Sequence, residues 1–146
     1  MPTIATEESF NIVVVMNESF SDLTTYLEGY KTSTDPMTSV RTLMNRGDVA
    51  SGTCAVSSDM GTGTANSEFE FLTGNSMAYF KGNTPYVQFI DMETPSLASL
   101  LAGRGYSTMA LHAYERAGYN RVKGYDRLGF DTYKGLKDFA VELDYA

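Results

Sequence analysis

Tryptophan is absent from this chain of 146 residues, and cysteine and histidine occur once each, as Cys54 and His112. A single thiol excludes an internal disulfide framework and removes any Cys-x-x-Cys redox or metal motif, so cysteine leaves the compartment open. With no neighbouring cation to activate it, Cys54 reads as a small buried hydrophobe. Clusters of Lys and Arg are also missing: 11 basic residues against 18 acidic ones give a formal net charge of -7. Phosphate backbones are held by concentrated positive charge, so a nucleic-acid groove is excluded. No apolar run approaches the roughly 18 to 20 residues that span a bilayer. The opening "MPTIATEESF" is acidic where a signal peptide would be basic. As written, the chain reads as soluble, a property that leaves open an anchor elsewhere in the natural protein. Repeats and low-complexity tracts are lacking too.

What is present suffices for one packed domain, with 42% hydrophobic and 12% aromatic residues and no linker. In "NIVVVMNESFSDL", residues 12–16 form a continuous, mostly β-branched run, the pattern of a strand covered on both faces in a parallel α/β sheet. "DPMTSVRTLMNRG" reads as a helix with Asp35 as N-cap, Pro36 in the first turn and Gly47 past the end. Residues 48–58 are strand-like. "GTGTANSEFEFLTG" is a glycine-flexed turn opening a helix that ends at Gly74; its "EFEFL" alternates as a strand does, and the flanking turns support a helix packing Phe69 and Leu72 at least as well. "TPSLASLLAGRG" repeats the punctuation, with Thr94 capping, Pro95 first, and Gly103 or Gly105 at the stop. A strand over residues 106–111 ends at His112, and "NRVKGYDRLGF" is a short helix closed by Gly129. Strands alternating with helices of this length predict an α/β fold with crossover connections. In such sheets ligands collect at the carboxyl ends of strands, where Glu18 and His112 both fall.

Three groups carry candidate chemistry, and each has a plainer explanation beside it. Glu18 after the first strand is either a site carboxylate or a solvated loop residue. In "GTGTANSEF", Thr64 serves as an N-cap, with Glu68 and Glu70 favourable against the helix dipole; a helix N-terminus also offers N–H groups and positive potential to an anion. His112 is a hydrogen-bonded structural residue or a ligand. Arg121 is a surface cation or a phosphate contact, and Tyr119 a partly buried ring whose hydroxyl finds a partner. The methionines read as core filler. A threonine hydroxyl needs a base or a metal to act as a nucleophile near neutral pH. Hard Mg²⁺ or Mn²⁺ accepts carboxylate and alkoxide oxygens, so Glu18 and Thr64 together make part of one coordination shell.

Taken in order, "NIVVVMNESFSDL", "GTGTANSEFEFLTGNSM", "PSLASLLAGRGYSTMALHAY" and "GYNRVKGYDRLGFD" resemble the lipoteichoic acid synthase family of phosphoglycerol transferases. That family lies in the sulfatase-like branch of the alkaline phosphatase superfamily, and the resemblance covers residues 11–138. It implies an α/β sheet flanked by helices, following membrane helices and facing the outside of the bacterial membrane. It also implies transfer of glycerol phosphate from phosphatidylglycerol, through a phosphorylated threonine, to a glycolipid or polymer acceptor of the cell envelope. By position, Glu18 of "ESF" corresponds to a ligand of the single Mn²⁺ or Mg²⁺ ion and Thr64 to the nucleophile and second ligand. The family's "WNR" appears as Tyr119, Asn120 and Arg121, with tyrosine in place of tryptophan, and His112 matches the histidine that begins that substrate-side loop. The family's downstream Asp-His pair and second substrate histidine have no counterpart here. The resemblance therefore implies that residues 1–146 are the N-terminal part of a catalytic domain truncated on its C-terminal side, inactive alone and prone to self-association. Other superfamily activities (phosphoethanolamine transfer, phosphodiester or sulfate-ester hydrolysis) and a non-catalytic binding domain are the alternatives. Thr64 stands where sulfatases carry a cysteine or serine precursor of formylglycine.

Overall fold

A computed structural model describes residues 10–17, 19–50, 63–80 and 84–139, in a first unit (Met1–Gly52) and a second (Thr53–Ala146). Two short helices organise the first unit, α1 (Leu23–Tyr26) and α2 (Thr38–Met44). Asp22 caps α1 by accepting the Thr24 N–H at 3.1 Å. Arg41 of α2 reaches the same carboxylate at 2.7 Å, joining the two helices through an exposed ion pair. Asp35 accepts the Met37 N–H at 2.8 Å, so it stabilises the turn before α2, and the helix begins later than the Asp-Pro signal predicts. Residues 12–16 belong to no strand among the described residues, and Val13 and Val15 are 83% and 80% exposed. Their β-branching suits a strand, but a strand also needs a neighbouring backbone to accept its N–H groups, and none of the described residues supplies one.

Among the described residues, the second unit holds the core and four α-helices, α3 (Thr64–Thr73), α4 (Pro85–Gln88), α5 (Leu97–Ala102) and α6 (Arg121–Arg127). Helix α3 ends where the sequence predicts, at Gly74, whose φ of 70° is the left-handed conformation that glycine adopts without a Cβ penalty. Phe69 is buried and Leu72 packs against the core. Helix α5 starts two residues after the predicted cap. Ser96 accepts the Ser99 N–H at 3.1 Å, and the Ser99 hydroxyl accepts the Ser96 N–H at 2.9 Å, a reciprocal box that Thr94 has no partner to form. Glycines 103 and 129 follow the ends of α5 and α6 as expected.

Strands β1 (Met109–Leu111) and β2 (Thr132–Lys134) pair in parallel, with Ala110 opposite Tyr133. Both central residues are buried and their neighbours exposed, the alternation of a sheet with one covered face. Thr108 and Asp131 lock the start of the pair: Asp131 Oδ2 accepts the Thr108 N–H at 2.7 Å and Thr108 Oγ1 accepts the Asp131 N–H at 3.0 Å. The His112 N–H donates to the Lys134 carbonyl at 3.0 Å, extending the register to the point where the chain turns away. The crossover between the strands carries α6, giving the α/β architecture that the alternation of elements predicts. Ala65, Phe69, Met77, Tyr86, Ile90, Tyr125 and Leu128 fill the space between this pair and the helices.

Helix α6 approaches α4 closely at Gly124. A Cβ there would lie 2.7 Å from Tyr86 Cγ and 2.9 Å from Tyr86 Cβ. In an exposed helix interior, Gly→Ala gains up to about 1 kcal/mol of helix propensity. Here overpacking against a buried ring opposes that gain and is the larger effect, about 1–3 kcal/mol. Gly124→Ala is therefore expected to lower stability in urea denaturation; an increase would show that α4 and α6 are not packed as described.

Candidate functional site

Helix α3 presents Ala65, Glu68, Phe69 and Leu72 along one stripe, the i, i+3, i+4, i+7 spacing of a face turned inward. Glu68 is therefore carried into the interior, only 7% exposed. The dipole role expected for it is incomplete, because its carboxylate collects four donors. Arg121 Nη2 donates to Oε1 at 2.9 Å and Arg121 Nε to Oε2 at 3.2 Å. The hydroxyls of Tyr125 and Tyr86 donate to Oε2 at 2.8 and 3.2 Å. Glu70 accepts the Met77 N–H at 2.7 Å, so it caps the following turn.

Arg121, the first residue of α6, is 1% exposed and so is no surface cation. Burial works against its charge, but the hydrogen bonds and negative charge of Glu68 outweigh that and hold its pKa above the ordinary guanidinium value. Burial, followed by the Glu68 charge, pushes the Tyr86 and Tyr125 hydroxyls well above the ordinary phenol range, so both remain donors. A guanidinium has five N–H donors. Glu68 occupies the side edge formed by Nε and Nη2, whereas Nη1 is buried with no hydrogen-bond partner among the described residues.

Tyr119 and Asn120 precede α6 in left-handed backbone, with φ of 55° and 59°. Such a conformation costs a bulky side chain on the order of 1 kcal/mol. Two contacts sustain it: Asn120 Nδ2 donates to the Tyr86 carbonyl at 2.8 Å, and the Tyr119 ring lies 5.2 Å from the Arg121 Cζ. The bend carries the Tyr119 hydroxyl to the start of α3, where a Cβ on Gly63 would sit 3.5 Å from it. Gly63, at φ 89°, is the N-cap, so α3 has no side-chain cap and Thr64 is its first helical residue rather than the cap. The structure thus brings Tyr119 to the start of α3, which bears Thr64, and Arg121 to Glu68, one turn further along that helix.

His112, half-buried at the carboxyl end of β1, stacks edge-on with Tyr114 at 6.4 Å, and its Nδ1 is buried without a partner among the described residues. Burial, then the Arg121 charge, lowers its pKa, with Glu68 opposing. Glu18 lies outside the described residues. Among the described residues no group of three or more His, Cys, Asp or Glu could hold a metal ion, and Glu68 is committed to Arg121 and the tyrosines. The described residues thus do not assemble a cation shell. A cleft of about 450 Å³ lined by Arg116, Asn120, Lys123, Tyr125, Asp131 and Tyr133, among others, shares Asn120 with the Tyr119 bend but holds none of Thr64, His112 and Arg121.

A family profile described as Sulfatase matches residues 10–144. A protein of Rhizobium meliloti (strain 1021), named for cyclic beta-1,2-glucan modification, is 38% identical over 125 residues, 85% of this chain and 18% of that protein. The crystal structure of the lipoteichoic acid synthase LtaP from Listeria monocytogenes is similar over 53% of this chain and 18% of that one, at 28% identity and a TM-score of 0.48. The chain spans 18% of the length of each of these relatives.

The lowered pKa of His112 has a definite sign in stability. Below its ordinary value of 6.5, the unfolded chain takes up a proton that folded His112 resists. Stability from this group is present above that pH, declines as pH falls through it, and levels off below the folded-state pKa. Between pH 7.5 and 5.5, about one unit either side, the wild type should lose more stability in urea denaturation than His112→Gln. Equal losses would contradict the assigned environment.

Proposed function

Because the chain belongs to the sulfatase family, we propose that it carries the nucleophile-bearing part of a phosphoglycerol transferase that acts on a carbohydrate of the bacterial cell envelope. The observation that carries this reading is the Arg121 guanidinium, buried to 1% exposure, with its side edge on Glu68 and Nη1 without an acceptor among the described residues. A buried donor left unpaired costs about 1–3 kcal/mol, and an oxyanion is the partner that a guanidinium fork matches best. Phosphoglycerol has that oxyanion.

Each residue then has a part. The end edge of Arg121, Nη1 with the second N–H of Nη2, holds two phosphoryl oxygens beside the start of α3, whose N-terminal partial charge favours the same anion. Tyr119 walls the site and stacks against the guanidinium, and His112 is a further donor or proton carrier on the substrate side. Thr64 Oγ attacks phosphorus of phosphatidylglycerol; the bond from phosphorus to the diacylglycerol oxygen breaks, and the threonine proton leaves on diacylglycerol. An acceptor hydroxyl then attacks phosphorus, and its proton returns to Thr64 as the phosphothreonine bond breaks. Glu18 and Thr64, with residues elsewhere in the protein, would hold a divalent cation, Mn²⁺ or Mg²⁺, which when bound would polarise the threonine hydroxyl.

The name of the Rhizobium relative favours a glucan acceptor. The proposed setting is the outer face of the cytoplasmic membrane; no helix among the described residues is long and apolar enough to cross it. Hydrolysis, with water in place of the sugar hydroxyl, is the competing reading within the same family, although Thr64 cannot supply a formylglycine. The full-length gene product, given a phosphatidylglycerol analogue and a β-glucan, is expected to form a glycerophosphate adduct on Thr64, detected by mass spectrometry, and a glycerophosphorylated glucan. Thr64→Ala should remove both, a loss of about 10³-fold or more in turnover. Turnover that survives Thr64→Ala would overturn the proposal, and free glycerol phosphate as sole product would replace transfer by hydrolysis.

A further inference from the structure

Glu68 touches none of the reacting atoms in the reading above, yet its charge stands beside them. Resting on that reading, we propose that Glu68 is a positioning residue: its carboxylate grips the side edge of Arg121 so that the end edge stays turned to the phosphoryl oxygens. A carboxylate that only balanced the Arg121 charge would need one contact. Glu68 makes two, from Nη2 at 2.9 Å and Nε at 3.2 Å, which together fix the guanidinium plane as well as its place. Tyr125 and Tyr86 at 2.8 and 3.2 Å fix the carboxylate in turn, so helices α3, α4 and α6 all hold one rigid fork. Gly118 lies beside the other edge: a Cβ there would be 4.0 Å from Nη1, in van der Waals contact with it, so the glycine leaves that edge uncrowded from this side. An arginine serving only the fold at 1% exposure would be expected to satisfy every nitrogen, as buried polar groups do. Nη1 has no acceptor among the described residues.

The two roles differ in sign. As a charge, Glu68 repels an incoming anion, so neutralising it should tighten anion binding. As a positioner, it keeps two donors aimed, so neutralising it should weaken binding even though the site becomes more positive. The test is titration of the chain with inorganic phosphate, followed by the NMR shifts of the Arg121 side-chain N–H and the backbone amides of α3, with folding of each variant checked in the same spectra. We expect millimolar binding by the wild type, weakened about tenfold by Glu68→Gln. Glu68→Asp keeps the charge but withdraws it by one methylene, and should weaken binding several-fold; it serves if the glutamine variant does not fold. Binding that Arg121→Lys weakens, while the folded Glu68 variants leave it unchanged or tighter, would overturn the positioning role and leave the proposed function standing. A wild-type chain that binds no phosphate up to about 100 mM, well beyond millimolar affinity, would overturn both.

Discussion

A full negative charge on Glu68 and a full positive charge on Arg121 sit where water barely reaches, at 7% and 1% exposure. Removing such ions from water costs several kcal/mol each, a cost that their attraction offsets only when geometry is good and remaining sites are bonded. The second unit supplies that geometry from three helices: α3 brings the acid, α6 the base and Tyr125, and α4 the hydroxyl of Tyr86. Their packing follows from the same need. Tyr86 reaches Glu68 because α4 lies close to α6, and the missing side chain at Gly124 allows that approach. The aromatic contacts of Tyr125 with Phe130 and Tyr133, at 5.3 and 4.8 Å, carry the constraint on to the parallel strand pair.

The unusual backbone before α6 belongs to the same arrangement. Tyr119 occupies a left-handed conformation that a bulky aromatic disfavours, Asn120 one that asparagine tolerates, and each is held by a contact leading back to the buried pair, one to the Arg121 face and one to the Tyr86 carbonyl. Strain of this kind persists where surrounding structure over-determines it, and it gathers at sites that bind. Here it sets the tyrosine hydroxyl against Gly63, at the start of the helix that carries Thr64. Fold and candidate chemistry are thus linked through a single ion pair one helical turn from the proposed nucleophile.

Much of this was legible in the residues and some was not, for identifiable reasons. Glycine stops at positions 74 and 129 were readable because each depends on local chemistry, and of the strand expected over residues 106–111 only its end, Met109–Leu111, is β1. The α5 cap was misplaced because the Thr-Pro signal outranks Ser-x-x-Ser when the reciprocal hydroxyl of Ser99 is not counted. Strand β2 went unpredicted because three residues with a single buried position, Tyr133, show no period. Residues 12–16 looked like a strand because side-chain shape is local, whereas pairing is not. The pairing of Glu68 with Arg121 spans 53 positions and could not be read from either motif alone, although the apolar stripe through Ala65, Phe69 and Leu72 already placed Glu68 on the buried face.

The claim that one buried ion pair organises the second unit is tested most directly by a double-mutant cycle on its two members. Urea denaturation of the wild type, Glu68→Gln, Arg121→Met and the double variant yields the coupling energy between them. Each single change leaves one charge buried without its partner and is expected to cost about 3–5 kcal/mol, whereas the double change should cost much less than the sum, a coupling of about 2 kcal/mol or more. Additive losses, within about 0.5 kcal/mol, would show that the two side chains do not act as a unit and would contradict the account.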